Sequence, residues 1–207
     1  MIIQPIVEGQ GEVAAAPVLL RRLRDEAQAW DVEIARPHRG KRTQLVQKDS
    51  LQSAVSIARL TPGCTAILIL FDADDDCPKE LAPTLQEWAQ EAAIPIPCAV
   101  VMANREYEAW LLAGIESLRG ERGIQGDALP HPHPENPRNA KGELEGRMQT
   151  GSYYVETADQ APLTARFDLA SAHRECRSFR KLVSAFGALL EASGVQLAVW
   201  PPVDWTK

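Results

Sequence analysis

Apolar runs alternate with segments of helical periodicity along the first half of the chain. The runs predict four strands, at Met1–Val7, Val32–Ala35, Ala66–Phe71 and Pro97–Ala103. Pro5 favours an edge position or a bulge for the first of them. The third run is unbroken by polar residues, which is typical of a central strand that is covered on both faces.

Helical patterns follow these strands. The first lies behind Pro17, which suits an opening helical turn, and the second can be capped by Asp49 or Ser50. Two more are predicted at about Lys79–Ala92 and Glu106–Leu112. Strands and helices that alternate in this way predict βαβ units with right-handed crossovers. We therefore expect an α/β fold with a mostly parallel sheet.

The character of the chain changes after Ile115. Residues 120–151 are rich in Gly, Pro and Asn and show little periodicity. Helical patterns then return in three segments, Ala158–Arg166, Leu169–Ala172 and Phe179–Ala192. The sequence therefore predicts an α/β core over residues 1–115, with a loop and helical extension over residues 116–207. We expect the extension to pack on the core, so that the chain forms a single domain overall.

The composition is that of an ordinary globular protein. Of the 207 residues, 45% are hydrophobic and 24% are charged, and the longest apolar stretch is far too short to span a membrane. The first residues lack the charged region and cleavage site of a signal peptide. The four cysteines form no C-x-x-C pair, which favours reduced thiols. These features predict a cytoplasmic protein that has no membrane partner.

The charge distribution limits how the chain can bind nucleic acid. A net charge of −6 and a pI of about 5.3 argue against a protein whose whole surface grips phosphates. Five basic residues nevertheless fall in a run without any acid: Arg36, Arg39, Lys41, Arg42 and Lys48. This basic run can follow a phosphate backbone locally, or it can simply form a solvated face.

Acidic residues directly follow two of the predicted strands. Glu8 follows the first strand, and Asp72 and Asp74 follow the third. Asp72 and Asp74 would share a face if both lay on a strand, and Glu8 can join them if the two strands are neighbours. Three converging carboxylates repel one another unless a cation lies between them. The pattern predicts a site for Mg²⁺, with Mn²⁺ as the alternative ion, of the kind used in phosphoryl transfer.

The same segments also allow a structural interpretation. Acids at strand ends often cap the next helix, and Asp76 ahead of Pro78 is placed to do so. Gly9 and Gly11 can form the turn beside Glu8, and they would also let a phosphate backbone approach it closely.

A second acidic pair follows the fourth predicted strand. Glu106 and Glu108 cannot share one helix face at a spacing of two, so only one of them is expected to reach a metal. Glu106 lies nearer the strand end and is the preferred ligand or general base. Glu108 is expected to pair with an arginine instead, and Trp110 is most simply a core residue.

The chain resembles a known group of proteins in these motifs. Glu8-Gly9 after a first strand, with Asp72-x-Asp74 after a later one, is similar to the Toprim fold of topoisomerases, bacterial primases and OLD-family nucleases. More narrowly, nearly the whole chain resembles the Toprim-like bacterial family called domain of unknown function 4276. The residues that carry this resemblance are Glu8-Gly9-x-x-Glu12, Asp72-x-Asp74, Glu106-x-Glu108-x-Trp110, Asn139-x-Lys141, Tyr154, Asp159-Gln160 and Ser178-Phe179.

The resemblance implies roles for individual residues. Glu8 would be a metal ligand or general base, Asp72 and Asp74 would be metal ligands, and Lys141 would stabilise the transition state, as a lysine does in OLD-like nucleases. It also implies a nuclease of DNA or RNA in a phage-defence or DNA-repair setting, beside a partner ATPase of the ABC/SMC-like kind. Extension residues such as Tyr154 could serve that interface, although a structural role is favoured.

The motifs also allow other classes of protein. The main alternative is a non-catalytic Toprim-like adaptor that docks on a partner ATPase or on nucleic acid. A haloacid-dehalogenase phosphatase is disfavoured because no Gly-Thr follows Asp74, and a zinc site at His131 and His133 because their spacing matches no zinc signature. The chain has no P-loop and no complete dinucleotide fingerprint. DNA, RNA and a nucleotide stay open as substrates, as do one or two metal ions.

Overall fold

A five-stranded sheet lies at the centre of the computed structural model, which describes residues 1–206. Its strands are β1 (Ile2–Val7), β2 (Glu33–Ile34), β3 (His38–Arg39), β4 (Cys64–Asp72) and β5 (Cys98–Ala103). Nine α-helices form within residues 1–206: α1 (Gln10–Glu26), α2 (Arg42–Leu45), α3 (Lys48–Ala58), α4 (Pro78–Ala93), α5 (Glu108–Ala113), α6 (Ala140–Glu145), α7 (Ala161–Thr164), α8 (Leu169–Glu175) and α9 (Arg177–Ala192). The remaining helical turns are 3₁₀ at Ile115–Leu118 and Val203–Thr206 and π-helical at Glu156–Gln160.

Every strand pair in this sheet is parallel. The strand order is β2-β1-β4-β5, and β3 pairs with β1 beyond the point where β2 ends. Val7 lies opposite Leu70, and Asp72 lies opposite Ala103. The predicted α/β fold with a mostly parallel sheet is therefore confirmed. Since β1 and β4 are neighbours, Glu8 and Asp72 follow adjacent strands.

Both faces of β4 are covered, as its unbroken apolar sequence predicts. Leu68 and Leu70 belong to a large buried cluster on one face, whereas Ile67, Ile69 and Phe71 belong to a second cluster on the other. Burial of each such side chain contributes about 1.5–3 kcal/mol. The strand is thus fixed from two sides, which holds its carboxyl end in place.

The helical extension shares the core of the sheet. Phe179, Leu182 and Phe186 of α9 lie in the same buried cluster as Leu68 of β4. Helix α9 packs along β5, and α7 packs on α1. The extension therefore covers one face of the sheet instead of forming a core of its own. No helix within residues 1–206 has the length and apolarity needed to cross a membrane.

Helix α1 begins earlier than the sequence pattern predicts. The pattern places Pro17 in the opening turn, but α1 starts at Gln10 and Pro17 lies inside it. The Glu12 side chain accepts a hydrogen bond from the Gly9 backbone N–H and closes the first turn. Glu12, to which the sequence pattern assigns no structural role, therefore sets the start of the helix.

Two further predictions about local structure are wrong. Helix α3 begins after Gln47, so neither Asp49 nor Ser50 is its cap. The Gly- and Pro-rich segment 120–151 contains helix α6, whose first turn is closed by the Asn139 side chain accepting the Gly142 N–H at 2.8 Å. This helix is short and its apolar residues are too few to show periodicity, but it carries Lys141.

Trp110 joins α5 to the extension. Its side chain is fully buried, and its ring centroid lies 4.9 Å from that of Tyr107 and 5.3 Å from that of Phe179. The indole N–H donates a hydrogen bond of 2.9 Å to the Ser178 hydroxyl in the first turn of α9. Buried indole N–H groups need such a partner, because an unpaired one is costly.

Replacing Ser178 by alanine is expected to lower the free energy of unfolding by about 1–2 kcal/mol, because the Trp110 N–H would lose its acceptor. Urea unfolding followed by tryptophan fluorescence measures this loss. The matched control is Ser184→Ala, an exposed position on the same helix, which should change stability little. Equal stability in the two variants would show that the buried hydrogen bond contributes nothing.

Candidate active site

The acidic residues gather at one edge of the sheet because all of its strands run in the same direction. β1 ends at Val7 and β4 ends at Asp72, so Glu8 and Asp72 lie at neighbouring carboxyl ends. β5 ends beside them at Ala103, and Glu108 opens the next helix. In open α/β sheets this edge is where ligands bind.

Asp72 lies at the centre of these acids. Its carboxylate accepts a hydrogen bond of 2.8 Å from the Tyr107 backbone N–H. Burial of the carboxyl, followed by the negative charges of Glu12 and Glu108, raises its pKa well above the usual value, although the charge of Lys141 opposes the shift. The residue forms no ion pair within residues 1–206 that would offset this cost directly.

Glu12 is a member of the cluster that sequence reasoning does not assign to the site. It is 5% exposed, and its carboxylate accepts the Gly9 N–H. Burial raises the pKa of Glu12 to about 7. The Gly9 hydrogen bond opposes this shift, while the charges of Glu108 and Glu8 add to it. Its signal in the sequence is its place in the motif Glu8-Gly9-x-x-Glu12, and its side chain turns back to the strand end because α1 begins at Gln10.

Glu108, and not Glu106, is the buried member of the second acidic pair. Glu108 has no exposed surface, and the prediction that it pairs with an arginine is wrong. Its Oε1 accepts hydrogen bonds from the Tyr154 hydroxyl at 2.8 Å and from Gln160 Nε2 at 3.2 Å. Burial raises the pKa of Glu108 despite the opposing charge of Lys141. Helix α5 begins at Glu108, which turns this side chain inward.

The side chain of Glu106 contacts the backbone of Lys141. The Glu106 carboxylate accepts the Lys141 backbone N–H at 3.0 Å and so fixes the start of α6 beside the cluster. The Lys141 ammonium forms an ion pair with Glu156. Burial disfavours the charged lysine, but this hydrogen bond and the charges of Glu108 and Asp72 outweigh it and raise the pKa of Lys141. The predicted cation therefore does reach the acids.

Asp74 is turned away from Asp72. β4 ends at Asp72, and Asp74 adopts a left-handed backbone conformation with φ of 51°. The two side chains therefore do not share a strand face, and that expectation is wrong. The Asp74 carboxylate forms an ion pair of 3.2 Å with Arg42, which also pairs with Asp76. Asp76 is thus an ion-pair partner and not the cap of α4, whose N-cap is Cys77.

Glu8 lies between the buried acids around Asp72 and the acids that pair with Arg42. It is partly buried, and its Oε2 is buried without a hydrogen-bond partner. Burial and the negative charge of Asp74 raise the pKa of Glu8, whereas Arg42 and Lys141 lower it. The Glu8 carboxylate is therefore close enough to Asp74, Arg42 and Lys141 for the charges of all three to act on it.

The basic run borders this edge of the sheet. Arg39 donates a hydrogen bond of 3.1 Å to the Glu8 carbonyl, and Arg42 donates to the carbonyls of Asp72 at 3.2 Å and Ala73 at 3.0 Å. Two arginines of the run thus hold the strand ends that carry the acids. Arg36 and Lys41, in the same run, are exposed.

Gly11 serves internal packing. A Cβ atom at this position would lie 3.1 Å from the Glu156 Cβ and would collide with the Gln160 amide. The glycine therefore lets α1 approach the π-helical turn that carries these two residues. The expected role in admitting a phosphate backbone is not needed to explain this glycine.

The donor chemistry of the cluster fits a hard divalent cation. Glu8 Oε2 and Glu108 Oε2 are buried carboxylate oxygens without a hydrogen-bond partner in the described chain, and burial raises the pKa of Asp72 and of Glu12. Carboxylate oxygens are the ligands that Mg²⁺ prefers. In the arrangement that residues 1–206 adopt, no three His, Cys, Asp or Glu side chains are grouped closely enough to hold one ion. The residues therefore fit a magnesium ion in the type of their ligand atoms, and not in the spacing of three ligands around one point.

Comparison with known proteins identifies the family. The chain matches the family described as Domain of unknown function (DUF4276) over residues 7–186. The chain belongs to this family. No curated protein and no solved structure matches it. The DUF4276 match spans every member of the cluster, from Glu8 on the first strand to Gln160 in the extension.

Family motifs that are expected to be structural supply hydrogen-bond partners of the acidic cluster. Tyr154 and Gln160 bind Glu108 directly, and the neighbouring Asp159 pairs with Arg122 at 2.6 Å. The motif Tyr154 with Asp159-Gln160 is the signal that points to Glu108. Ser178 and Phe179 have the structural role expected of them, since both pack against Trp110.

Proposed function

We propose that this DUF4276 protein is a Mg²⁺-dependent phosphodiester hydrolase, most specifically a nuclease of DNA or RNA. The observation that carries the proposal is the buried acidic cluster at the carboxyl edge of the sheet, in which Glu8 Oε2 and Glu108 Oε2 have no partner. Such a cluster is costly for a fold unless protons or a cation neutralise it. Because these buried carboxylates lie at the edge where such sheets bind ligands, a functional role is favoured for them.

The carboxylates have two roles in this proposal, metal binding and activation of water. Glu8 and Asp72 would hold Mg²⁺, with Glu12 and Glu108 beside them, and Asp74 could join only by leaving Arg42. The bound ion would supply Lewis-acid stabilisation of a phosphoryl oxygen. Glu8 is only partly buried and the pKa of its carboxyl is raised, so we assign to it the orientation and deprotonation of the attacking water.

Lys141 would stabilise the charge that develops on the phosphoryl oxygens. Its ammonium is held beside the cluster by an ion pair with Glu156, so the charge would act on the phosphoryl oxygens from a fixed position. Glu106 remains a candidate general base. Its contact with the Lys141 backbone supports a positioning role instead, because the carboxylate is already engaged there.

The basic run supports a nucleic-acid partner despite the net charge of −6. Exposed Arg36 and Lys41 lie in the segment whose Arg39 and Arg42 hold the strand ends. A phosphate backbone that followed this segment would pass directly over Glu8. The proposed setting, phage defence or DNA repair beside an ABC/SMC-like ATPase, is supported by the family resemblance.

Cleavage assays test the proposal. Single- and double-stranded DNA and RNA are incubated with the wild-type protein in Mg²⁺, in Mn²⁺ and in EDTA. We expect cutting of at least one substrate in the presence of metal and none in EDTA. Cutting that persists in EDTA would overturn the metal-dependent mechanism, and silence with every substrate would favour the adaptor described next.

A non-catalytic adaptor is favoured by one specific observation. No three ligating side chains within the described part of the chain are grouped around one point, and the Asp74 carboxylate is held by Arg42. In this alternative the acids bind a regulatory ion or stabilise the interface with a partner ATPase. Such a protein would bind nucleic acid or its partner without cutting, whichever divalent ion is supplied.

Replacement of Lys141 by methionine is expected to lower kcat about a hundredfold, because the charge on the phosphoryl oxygens would lose its stabilising cation. KM should change less, since the effect is confined to the transition state. Steady-state kinetics with an oligonucleotide substrate measures both. Arg166→Met is the control, as Arg166 forms an exposed ion pair with Glu121 and lies outside the basic run. Equal kcat in the two variants would remove Lys141 from the mechanism.

A further inference from the structure

A depression lies beside the segment Asp74–Asp76, which follows the strand end that carries Asp72. Its volume is about 650 Å³, and it lies between α4, α9 and β5. Ala82 of α4 and Val100 and Met102 of β5 form an apolar floor, and the segment Asp74–Asp76 forms the rim toward the cluster. The volume is in the range of pockets that bind small organic molecules.

The acids on this rim already have cationic partners within the chain. Asp74 and Asp76 both pair with Arg42. Asp75 pairs with Arg105 at 2.9 Å. The rim therefore contributes little net negative charge to the depression.

Three basic residues of the depression are unpaired, whereas a fourth, Arg105, pairs with Asp75. Lys79 on α4 and Arg177 and Lys181 on α9 line it, and none of the three forms an ion pair among residues 1–206. Glu135 accepts the backbone N–H groups of Arg177 and Ser178, at 2.9 and 2.8 Å, and so is engaged at the start of α9. Glu135 keeps its negative charge and offsets one of these three cations, so the wall beside the apolar floor has a net positive charge.

We propose that this depression, which we call the base pocket (Lys79, Ala82, Val100, Met102, Arg177 and Lys181), receives one unpaired nucleotide of the substrate. The base would lie against the apolar floor, and the adjoining phosphate would contact the cations. This inference rests on the proposed function, because it takes a nucleic acid as the substrate. It deepens that function by assigning single-stranded nucleic acid, or a single-stranded end, as the substrate class.

The preference for single strands follows from the shape of the site. A base in a duplex is stacked and paired, so it can enter a depression of this size only after a costly extrusion, whereas an unpaired base enters directly. Proteins that bind single strands without reading their sequence usually stack the bases on aromatic side chains and hold the backbone with cations. In this depression the aliphatic side chains and Met102 would take the place of the aromatic face. The pocket should therefore accept all four bases.

Binding measured without metal tests the inference separately from cleavage. Fluorescence anisotropy is recorded in EDTA with a short fluorescent DNA strand, its RNA counterpart and the corresponding duplex. Two variants are compared with the wild type. The first combines Arg177→Glu with Lys181→Glu, because acidic side chains are favourable near the start of a helix. The second is Ala82→Glu, which places a negative charge in the apolar floor. Circular dichroism establishes that each variant is folded.

The matched control is Arg59→Glu. Arg59 ends α3 at the opposite edge of the sheet and donates only an exposed hydrogen bond to the Ala92 carbonyl. We expect each pocket variant to weaken single-strand binding at least tenfold, to change duplex binding much less, and to exceed the effect of the control. The DNA and RNA strands show which sugar the pocket accepts.

Two results would overturn the inference. Equal losses for the pocket variants and Arg59→Glu would mean general electrostatic attraction, and equal losses for single strand and duplex would mean that no base enters. Failure of the proposed function is distinguishable. If the wild-type protein binds single strands selectively but cuts no substrate, the nuclease proposal is refuted and the base pocket is not. If the wild-type protein cuts in the presence of metal but the pocket variants bind single strands as well as it does, the base pocket is refuted and the nuclease is not.

Discussion

Asp72→Asn is expected to abolish metal-dependent cleavage, a loss of about a thousandfold or more, while the melting temperature stays the same or rises. The variant removes a central carboxylate ligand of the proposed cation site. The asparagine oxygen can still accept the Tyr107 backbone N–H, so the local hydrogen bond is retained. Removal of a negative charge beside Glu12 and Glu108 reduces repulsion within the fold. Initial rates and thermal melts of the same preparations measure both effects.

The control for this variant is Asp31→Asn, an exposed aspartate ahead of β2 at the other end of the sheet. It removes the same charge without touching the cluster and should leave the rate unchanged. Retained cleavage in Asp72→Asn would remove this carboxylate from the site. A melting temperature several degrees lower would show that the ionised carboxylate stabilises the fold, which contradicts its role as a buried charge that awaits a cation.

The extension completes the site. Lys141, Tyr154 and Gln160 all come from residues beyond the α/β core, and each contacts an acid or lies beside one. A core without the extension would leave Glu108 open to water and without its hydrogen-bond donors. The raised pKa of Glu108 would then lose its main cause, which is burial. The chemistry proposed here therefore depends on the packing of the extension against the sheet.

The placement of Glu8 and Asp72 was predictable because it depends on few physical rules. Apolar runs separated by helical patterns predict parallel strands, and parallel strands bring their carboxyl ends to one edge. The unbroken run before Asp72 indicates a strand buried on both faces, which must lie centrally. Its neighbour β1 then brings Glu8 to the same edge. The two acids follow from the fold itself.

The other members of the cluster depend on contacts that spacing does not reveal. Whether Asp74 shares a face with Asp72 depends on where β4 ends, and the chain enters a left-handed conformation there. The choice of Glu108 over Glu106 depends on the start of α5 and on Tyr154, which is 46 residues away in the sequence. Glu12 enters because α1 begins at Gln10. Each of these is a boundary or a long-range contact.

The cluster is also expected to make stability depend on pH. Burial raises the pKa of Glu12 from 4.5 to about 7, and the charges of Glu108, Glu8 and Glu156 contribute to the shift. The native state therefore binds the proton more tightly than the unfolded chain does between these values. The free energy of unfolding should fall as the pH rises from about 4.5 to about 7, and should then level off. Glu12 alone would account for about 3 kcal/mol of this fall.

Urea unfolding at a series of pH values measures the effect, with Glu12→Gln as the diagnostic variant. The glutamine cannot ionise, so its stability curve should be flatter through this range and should lie above that of the wild type near pH 8. Glu33→Gln, an exposed substitution at the start of β2, is the control and should follow the wild type. A wild-type curve that rises through this range would mean that the ionised carboxylates are stabilised within the fold.

Adding Mg²⁺ to the same titration separates protons from a cation as the groups that neutralise the cluster. A cation that binds the ionised carboxylates stabilises only the native state, in proportion to its occupancy. Mg²⁺ should therefore restore stability near pH 8, where the acids have lost their protons, and have little effect near pH 5, where protons compete for the same oxygens. The restoration should disappear in Asp72→Asn. If Mg²⁺ has no effect at either pH, protons alone neutralise the cluster, and the acids do not form the cation site on which the proposed hydrolase depends.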